Sequence, residues 1–195
     1  MYFSAQSLQK NTLQNYKLFL ISQKIFSNKK KIVSLQKFYQ MKQQRIYIDT
    51  SIVGGFFDIE FEKETKMLFE RLENKEVIFV VSEVLTGELE NAPEKVRTLL
   101  KNYSNDSFIR VPLTDEAREL ADKYIAENVV GRTSYDDCCH IALATIHNVN
   151  VLASWNFKHI VNLARIIGYN AVNLKNGYKP IEIRNPKDLV YGKGL

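Results

Sequence analysis

The chain has 195 residues, 45% of them apolar and 25% charged, with a formal net charge of +5. That length allows one ordinary domain and an appendage, and that composition supports a sizeable buried core, which together exclude a disordered or fibrous protein. The positive charge does not signal a basic nucleic-acid groove: residues 1–45 hold nine of the 27 Lys and Arg and none of the 22 Asp and Glu, so residues 46–195 carry a net −4.

The basic leader, residues 1–40, stands apart. Its one continuous apolar run, Leu18-Phe19-Leu20-Ile21, is too short for a membrane span or a signal-peptide core. No Arg precedes Arg45, which argues against an organelle transit peptide. Three readings are open: a basic arm that binds RNA or a partner, a disordered tail, or upstream sequence translated from a misplaced start ahead of Met41. Composition favours the last two.

Residues 41–195 alternate short β-rich runs with stretches of helical spacing, the pattern of an α/β domain with a mainly parallel sheet. The first strand is Arg45 to Ile48, and Asp49-Thr50-Ser51 caps a short helix weakened by Gly54-Gly55. Glu60 to Asn74 reads as an amphipathic helix, with Phe61, Met67, Leu68 and Leu72 near one face. Val77 to Val81 is continuously apolar, as in a strand buried on both faces.

Ser82 caps the next helix, which carries Glu88, and Pro93 opens another. Phe108 to Val111 reads as a strand, and Thr114 starts an amphipathic helix. Ser134 caps the helix bearing Asp137. Val151 to Ala153 is a strand, Phe157 to Ile167 a helix, and Ala171 to Leu174 a last parallel strand. Ile181 to Ile183 forms a short edge strand ahead of Asn185-Pro186.

Within this order, Asp49 follows a strand, Glu88 lies inside a helix and Asp137 sits in a first helical turn, where the positive end of the dipole favours a carboxylate. Strand ends at one edge of a parallel sheet converge, so such carboxylates can meet around a divalent cation. Mg²⁺ or Mn²⁺ prefers hard oxygen ligands, positions a phosphate and lowers the pKa of water, so hydrolysis needs no covalent nucleophile.

The Tyr47-Ile48-Asp49-Thr50-Ser51 strand end, Thr86-Gly87-Glu88-Leu89, the run Asp137 to Ala144 and Ser154-Trp155-Asn156-Phe157 resemble the motifs of PIN-domain proteins, in matching order. The likeness covers Arg45 to the C-terminus and is nearest to the small VapC-like ribonuclease toxins of type II toxin-antitoxin pairs. It implies a three-layer α/β/α fold and a metal-dependent endoribonuclease using Mg²⁺ or Mn²⁺. It implies an RNA substrate, a cognate antitoxin and homodimerisation, and gives Asp49, Glu88 and Asp137 the role of the family's acidic residues.

At the fourth position, where many members carry Asp, stands Asn156. An amide oxygen can ligate a cation or orient water but adds no charge, which is expected to weaken or eliminate a second metal site. Thr50 and Ser154 are candidates to orient ligands or bind phosphate, and Arg132 is a candidate phosphate contact.

Simpler roles compete with these. Asp49 and Asp137 could each be caps alone, Asp136 a solvated neighbour, and Glu83 and Glu90 surface residues. His140, one turn after Asp137, reads as packed or hydrogen-bonded rather than as a general base; His147 and His159 have no evident partners, so zinc chemistry is not supported. Trp155 and Phe157 default to packing. Adjacent Cys138 and Cys139 cannot form an ordinary disulfide and read as small buried hydrophobes suited to a reducing cytoplasm. The competing function is a non-catalytic PIN-like module that binds RNA or protein; a nuclease for DNA flaps is less attractive in a chain without an inserted clamp.

Overall fold

The computed structural model of the protein describes residues 43–192. The basic leader, the Met41 start and the last three residues therefore lie outside the described residues.

Five strands form one wholly parallel sheet in the order β3-β2-β1-β4-β5: β1 Gln44–Ile48, β2 Val77–Ser82, β3 Phe108–Val111, β4 Val151–Ala153 and β5 Ile183–Arg184. The chain winds outward from β1 through β2 to β3, then returns to place β4 on the other side of β1. The winding direction thus reverses between β1 and β4, and the crevice at the carboxyl ends of those strands is where open parallel sheets place their ligands. Ile48 pairs with Ala153 in this register, so Asp49 and Ser154 leave the sheet side by side.

Among the described residues, eight α-helices connect or flank the strands: α1 Thr50–Gly55, α2 Glu62–Glu73, α3 Glu83–Glu90, α4 Glu94–Thr98, α5 Asp115–Ala126, α6 Tyr135–Ile146, α7 Leu163–Lys175 and α8 Pro186–Tyr191. Period-two alternation divides the sheet residues between two cores. Ile46, Ile48, Phe79, Val81, Val151 and Ala153 face α1, α2, α3, α4 and α8, while Tyr47, Val80, Leu152 and Ile183 face α5, α6 and α7. This is the expected three-layer α/β/α arrangement. No helix among the described residues is long and apolar enough to cross a membrane.

Local chemistry sets the helix starts. Side-chain oxygens of Asp49, Ser82, Thr114, Asn162 and Asn185 accept backbone N–H groups of the first turns of α1, α3, α5, α7 and α8, each worth about 0.5–2 kcal/mol. Ser134 occupies the position before α6, but its side chain makes no capping bond; a short 3₁₀ turn, Arg132–Ser134, leads in instead.

Two expectations are corrected. Ala171 to Leu174 is not a strand but the end of α7, and the expected helix Phe157 to Ile167 begins only at Leu163, after a turn closed by Asn156. Tyr169, Val172 and Asn173 are buried at helical spacing, and Asn173 bonds Tyr124 and Thr145 across the core, which holds the segment helical. Gly168 lets α7 approach Val129: a Cβ there would lie 2.9 Å from its side chain. The last parallel strand is β5, which takes its partner from β4.

Candidate active site

Asp49 ends β1 and caps α1, and it is only 4% exposed. Oδ1 accepts Ser51 Oγ–H at 2.6 Å and the Ile52 N–H at 3.3 Å; Oδ2 accepts Ser154 Oγ–H at 2.6 Å. Ser154 is fully buried, and its oxygen also accepts the Asn156 N–H at 2.9 Å. Ser51 Oγ accepts the Trp155 N–H at 2.8 Å. The ends of β1 and β4 are thus stitched together around the carboxylate, and each hydroxyl that donates to it is itself held by a backbone N–H.

Glu88, partly exposed on α3, accepts Thr50 Oγ1–H at Oε2, and His140 Nε2 lies 3.2 Å from the same oxygen. Asp137, in the first turn of α6, accepts Asn156 Nδ2–H at Oδ1, 2.9 Å away. Two hydrogen-bonded groups therefore meet here, Asp49, Ser154, Asn156 and Asp137 in one and Thr50, Glu88 and His140 in the other, joined where Thr50 follows Asp49 in the chain.

The electrostatics follow from burial. Burial pushes the Asp49 carboxyl above its ordinary value, against the influence of His140 and the hydrogen bonds from Ser154, Ser51 and Ile52. Burial also raises Asp137; His159 and His140 oppose it, and the negative charges of Asp49 and Glu88 reinforce it, so the three acids share one field. For Glu88, burial works upward but is outweighed by His140 and Thr50, and its carboxyl falls below the usual range.

Among the described residues, no three His, Cys, Asp or Glu side chains are gathered as a ready-made metal cage. Each carboxylate is turned instead towards neighbouring donors, and no Lys or Arg among the described residues pairs with any of the three. Three carboxylates and their hydroxyl neighbours form a hard-oxygen donor set of the kind that suits Mg²⁺ or Mn²⁺. A cation would favour the charged forms of Asp49 and Asp137 that burial disfavours. The donor chemistry fits.

Asn156 differs from the expectation in orientation. Its Oδ1 accepts the His159 N–H at 3.0 Å, and that donor fixes which end of the amide is oxygen. The amide therefore offers Asp137 its NH₂, not an oxygen to a cation. Arg132 is exposed and lines a groove with Asp122, Ile125, Ala126 and Tyr135, a set that excludes Asp49, Glu88 and Asp137. Asp136, Glu83 and Glu90 are exposed, and Glu83 accepts the Leu113 N–H. The sequence reading missed Ser51, whose position two residues after a capping Asp was the available signal, and His159, which influences Asp137 from the turn after β4.

The PIN domain family model matches residues 46–159, a span that holds all of Asp49, Glu88, Asp137 and Asn156. The chain belongs to the PIN domain family. No curated protein matches it. Among solved structures, FitAB bound to an IR36 DNA fragment aligns at 13% identity and a TM-score of 0.47, covering 72% of this chain and 94% of that one. VapBC2 from Rickettsia felis, bound to a DNA fragment from its promoter, aligns at 10% identity and a TM-score of 0.44, covering 73% and 98%.

Proposed function

We propose that this PIN-domain chain is a metal-dependent endoribonuclease that hydrolyses phosphodiester bonds of single-stranded or loop RNA through Asp49, Glu88 and Asp137. The observation that carries the reading is the convergence of these three acids, remote in sequence, at the switch point of the sheet, where one hydrogen-bonded chain joins Asp49 to Asp137, Thr50 next to Asp49 holds Glu88, and the charges of Asp49 and Glu88 act on Asp137. PIN domains are typically nucleases, and PIN nucleases generally use divalent metals.

Asp49, Glu88 and Asp137 would hold Mg²⁺ or Mn²⁺. A bound cation supplies positive charge for the phosphate oxygens and acidifies water. The protein's own contribution is orientation: Ser51 and Ser154 fix both oxygens of Asp49, Thr50 holds Glu88, and Asn156 holds Asp137. Phe56 and Phe57 follow the helix that leads away from Asp49, with the Lys66 ammonium over the first ring at 5.7 Å and the Lys95 ammonium over the second at 5.2 Å. Positive charge beside this helix suits the phosphates of a nucleic-acid backbone, which supports RNA in a domain whose net charge is negative.

The toxin role, with a cognate antitoxin and a homodimer, is part of the same proposal and is supported by the motif resemblance. Leu163, Ile167 and Leu174 of α7, exposed by 75%, 62% and 60%, share one helix face, an apolar stripe suited to a protein partner. Incubation of the purified chain with single-stranded RNA and Mn²⁺ tests the activity; cleavage is expected, with loss on chelation or in Asp49→Asn.

The Asn156 geometry favours a second reading, a non-catalytic PIN-like module that binds RNA or protein, because the amide turns its oxygen away from the acids. Calorimetry separates the two: a specific Mn²⁺ site lost in Asp137→Asn supports the nuclease, and its absence supports the module.

A further inference from the structure

His140 is 2% exposed, yet both ring nitrogens are partnered: Nδ1 lies 2.8 Å from Tyr47 Oη, and Nε2 lies 3.2 Å from Glu88 Oε2. Tyr47 Oη–H in turn donates to Ser82 Oγ at 2.6 Å, and Ser82 Oγ accepts the Leu85 N–H at the start of α3. The path begins at the cap of α3 and ends at Glu88 on the same helix. On the way it passes through Tyr47, two residues before Asp49, and through His140, one helical turn after Asp137. It thereby ties together the three elements that carry the three acids.

A carboxylate oxygen only accepts, so the nitrogen that faces it carries the proton. With the Tyr47 hydroxyl proton directed at Ser82, Tyr47 Oη is the acceptor towards Nδ1. Glu88 Oε2 then takes two hydrogen bonds, from Thr50 and His140, while Oε1 has none among the described residues. We propose that His140 is a positioning residue: the Ser82–Tyr47–His140 path aims Nε2–H at Glu88 Oε2 and so presents Oε1 as the oxygen for the cation. The inference rests on the metal-dependent reading above.

The test compares wild type, His140→Leu, His140→Gln, Tyr47→Phe and Asp49→Asn by Mn²⁺ calorimetry and thermal melting, with the ¹⁵N imidazole spectrum of the wild type. His140→Leu should weaken Mn²⁺ binding by about 10- to 100-fold, the usual scale for loss of a group that orients a metal ligand. His140→Gln, whose amide can donate from nearly the position of Nε2, should recover most of it, and Tyr47→Phe should fall between. The wild-type spectrum should show Nε2 protonated without metal. Unchanged Mn²⁺ affinity in a folded His140→Leu, alongside loss in Asp49→Asn, would overturn the positioning role and leave the metal reading intact. An unprotonated Nε2 would overturn it even if the Leu variant failed to fold. Absence of Mn²⁺ binding by wild type would overturn the metal reading, and the positioning role with it.

Discussion

Replacing Asp49 by Asn should stabilise the protein in chelator and abolish its stabilisation by metal. The side chain is nearly isosteric, and its retained oxygen can keep the Ser51 and Ile52 donors. The new NH₂ faces Ser154, whose hydroxyl can turn to accept it. Three hydrogen bonds to a charge become neutral ones, a loss of about 1 kcal/mol each or roughly 3 kcal/mol in all. Against this, burying an ion without an opposite charge costs several kcal/mol.

The raised Asp49 carboxyl shows which effect wins: burial outweighs the hydrogen bonds that favour the charged form. The sign in pH follows from that direction. A group whose folded pKa lies above the unfolded value, 3.8 here, contributes its stability fully below that value and loses it as pH rises through the folded pKa. Asp49→Asn should therefore match wild type at low pH and overtake it near neutrality by on the order of 1 kcal/mol, or about 2–4 °C in Tm. Saturating Mn²⁺ should reverse the order, since metal at 100 times its Kd adds about 2.7 kcal/mol to wild type alone. Melting curves in chelator and in Mn²⁺, across pH, make the measurement. A variant less stable than wild type in neutral chelator would refute the reasoning.

Three further outcomes follow from other residues. Asn156→Asp puts a second carboxylate where an NH₂ now meets Asp137 at 2.9 Å; it should cost about 1–3 kcal/mol in chelator and increase Mn²⁺ affinity or stoichiometry, read by melting and calorimetry. Gly55→Ala places a Cβ 2.8 Å from Trp155 Cδ1 and threatens the 2.9 Å bond from Trp155 Nε1–H to Thr65 Oγ1. It should cost about 1–3 kcal/mol, and emission from the single tryptophan should shift. Burial pushes the Cys138 thiol up to about 12 and Cys139 up to about 11, so neither should react with iodoacetamide at neutral pH until denaturant is added, as mass spectrometry would show.

The parts of the site that follow from chain direction were legible in the sequence. Ile46 to Ile48 and Val151 to Ala153 are uninterrupted β-forming runs, so the polar residue after each had to emerge at the sheet edge, and Asp49 and Ser154 do. Glu88 and Asp137 were recognisable because their motifs recur in order. Side-chain orientation was not legible. Whether Asn156 offers oxygen or NH₂ depends on a backbone donor three residues later, and the link from His140 to Glu88 depends on Tyr47 and Ser82 from two other strands. The Ala171 to Leu174 error has the same origin: a short run of β-compatible residues cannot be separated from a helix end until its burial partners are known.

The role of the three acids is tested most directly by cleavage of a fluorescent single-stranded RNA panel with Mn²⁺ by wild type, Asp49→Asn, Glu88→Gln and Asp137→Asn. Wild type should cleave the panel, with activity abolished by chelator and lost in all three folded variants. Full cleavage by Asp49→Asn would contradict that role.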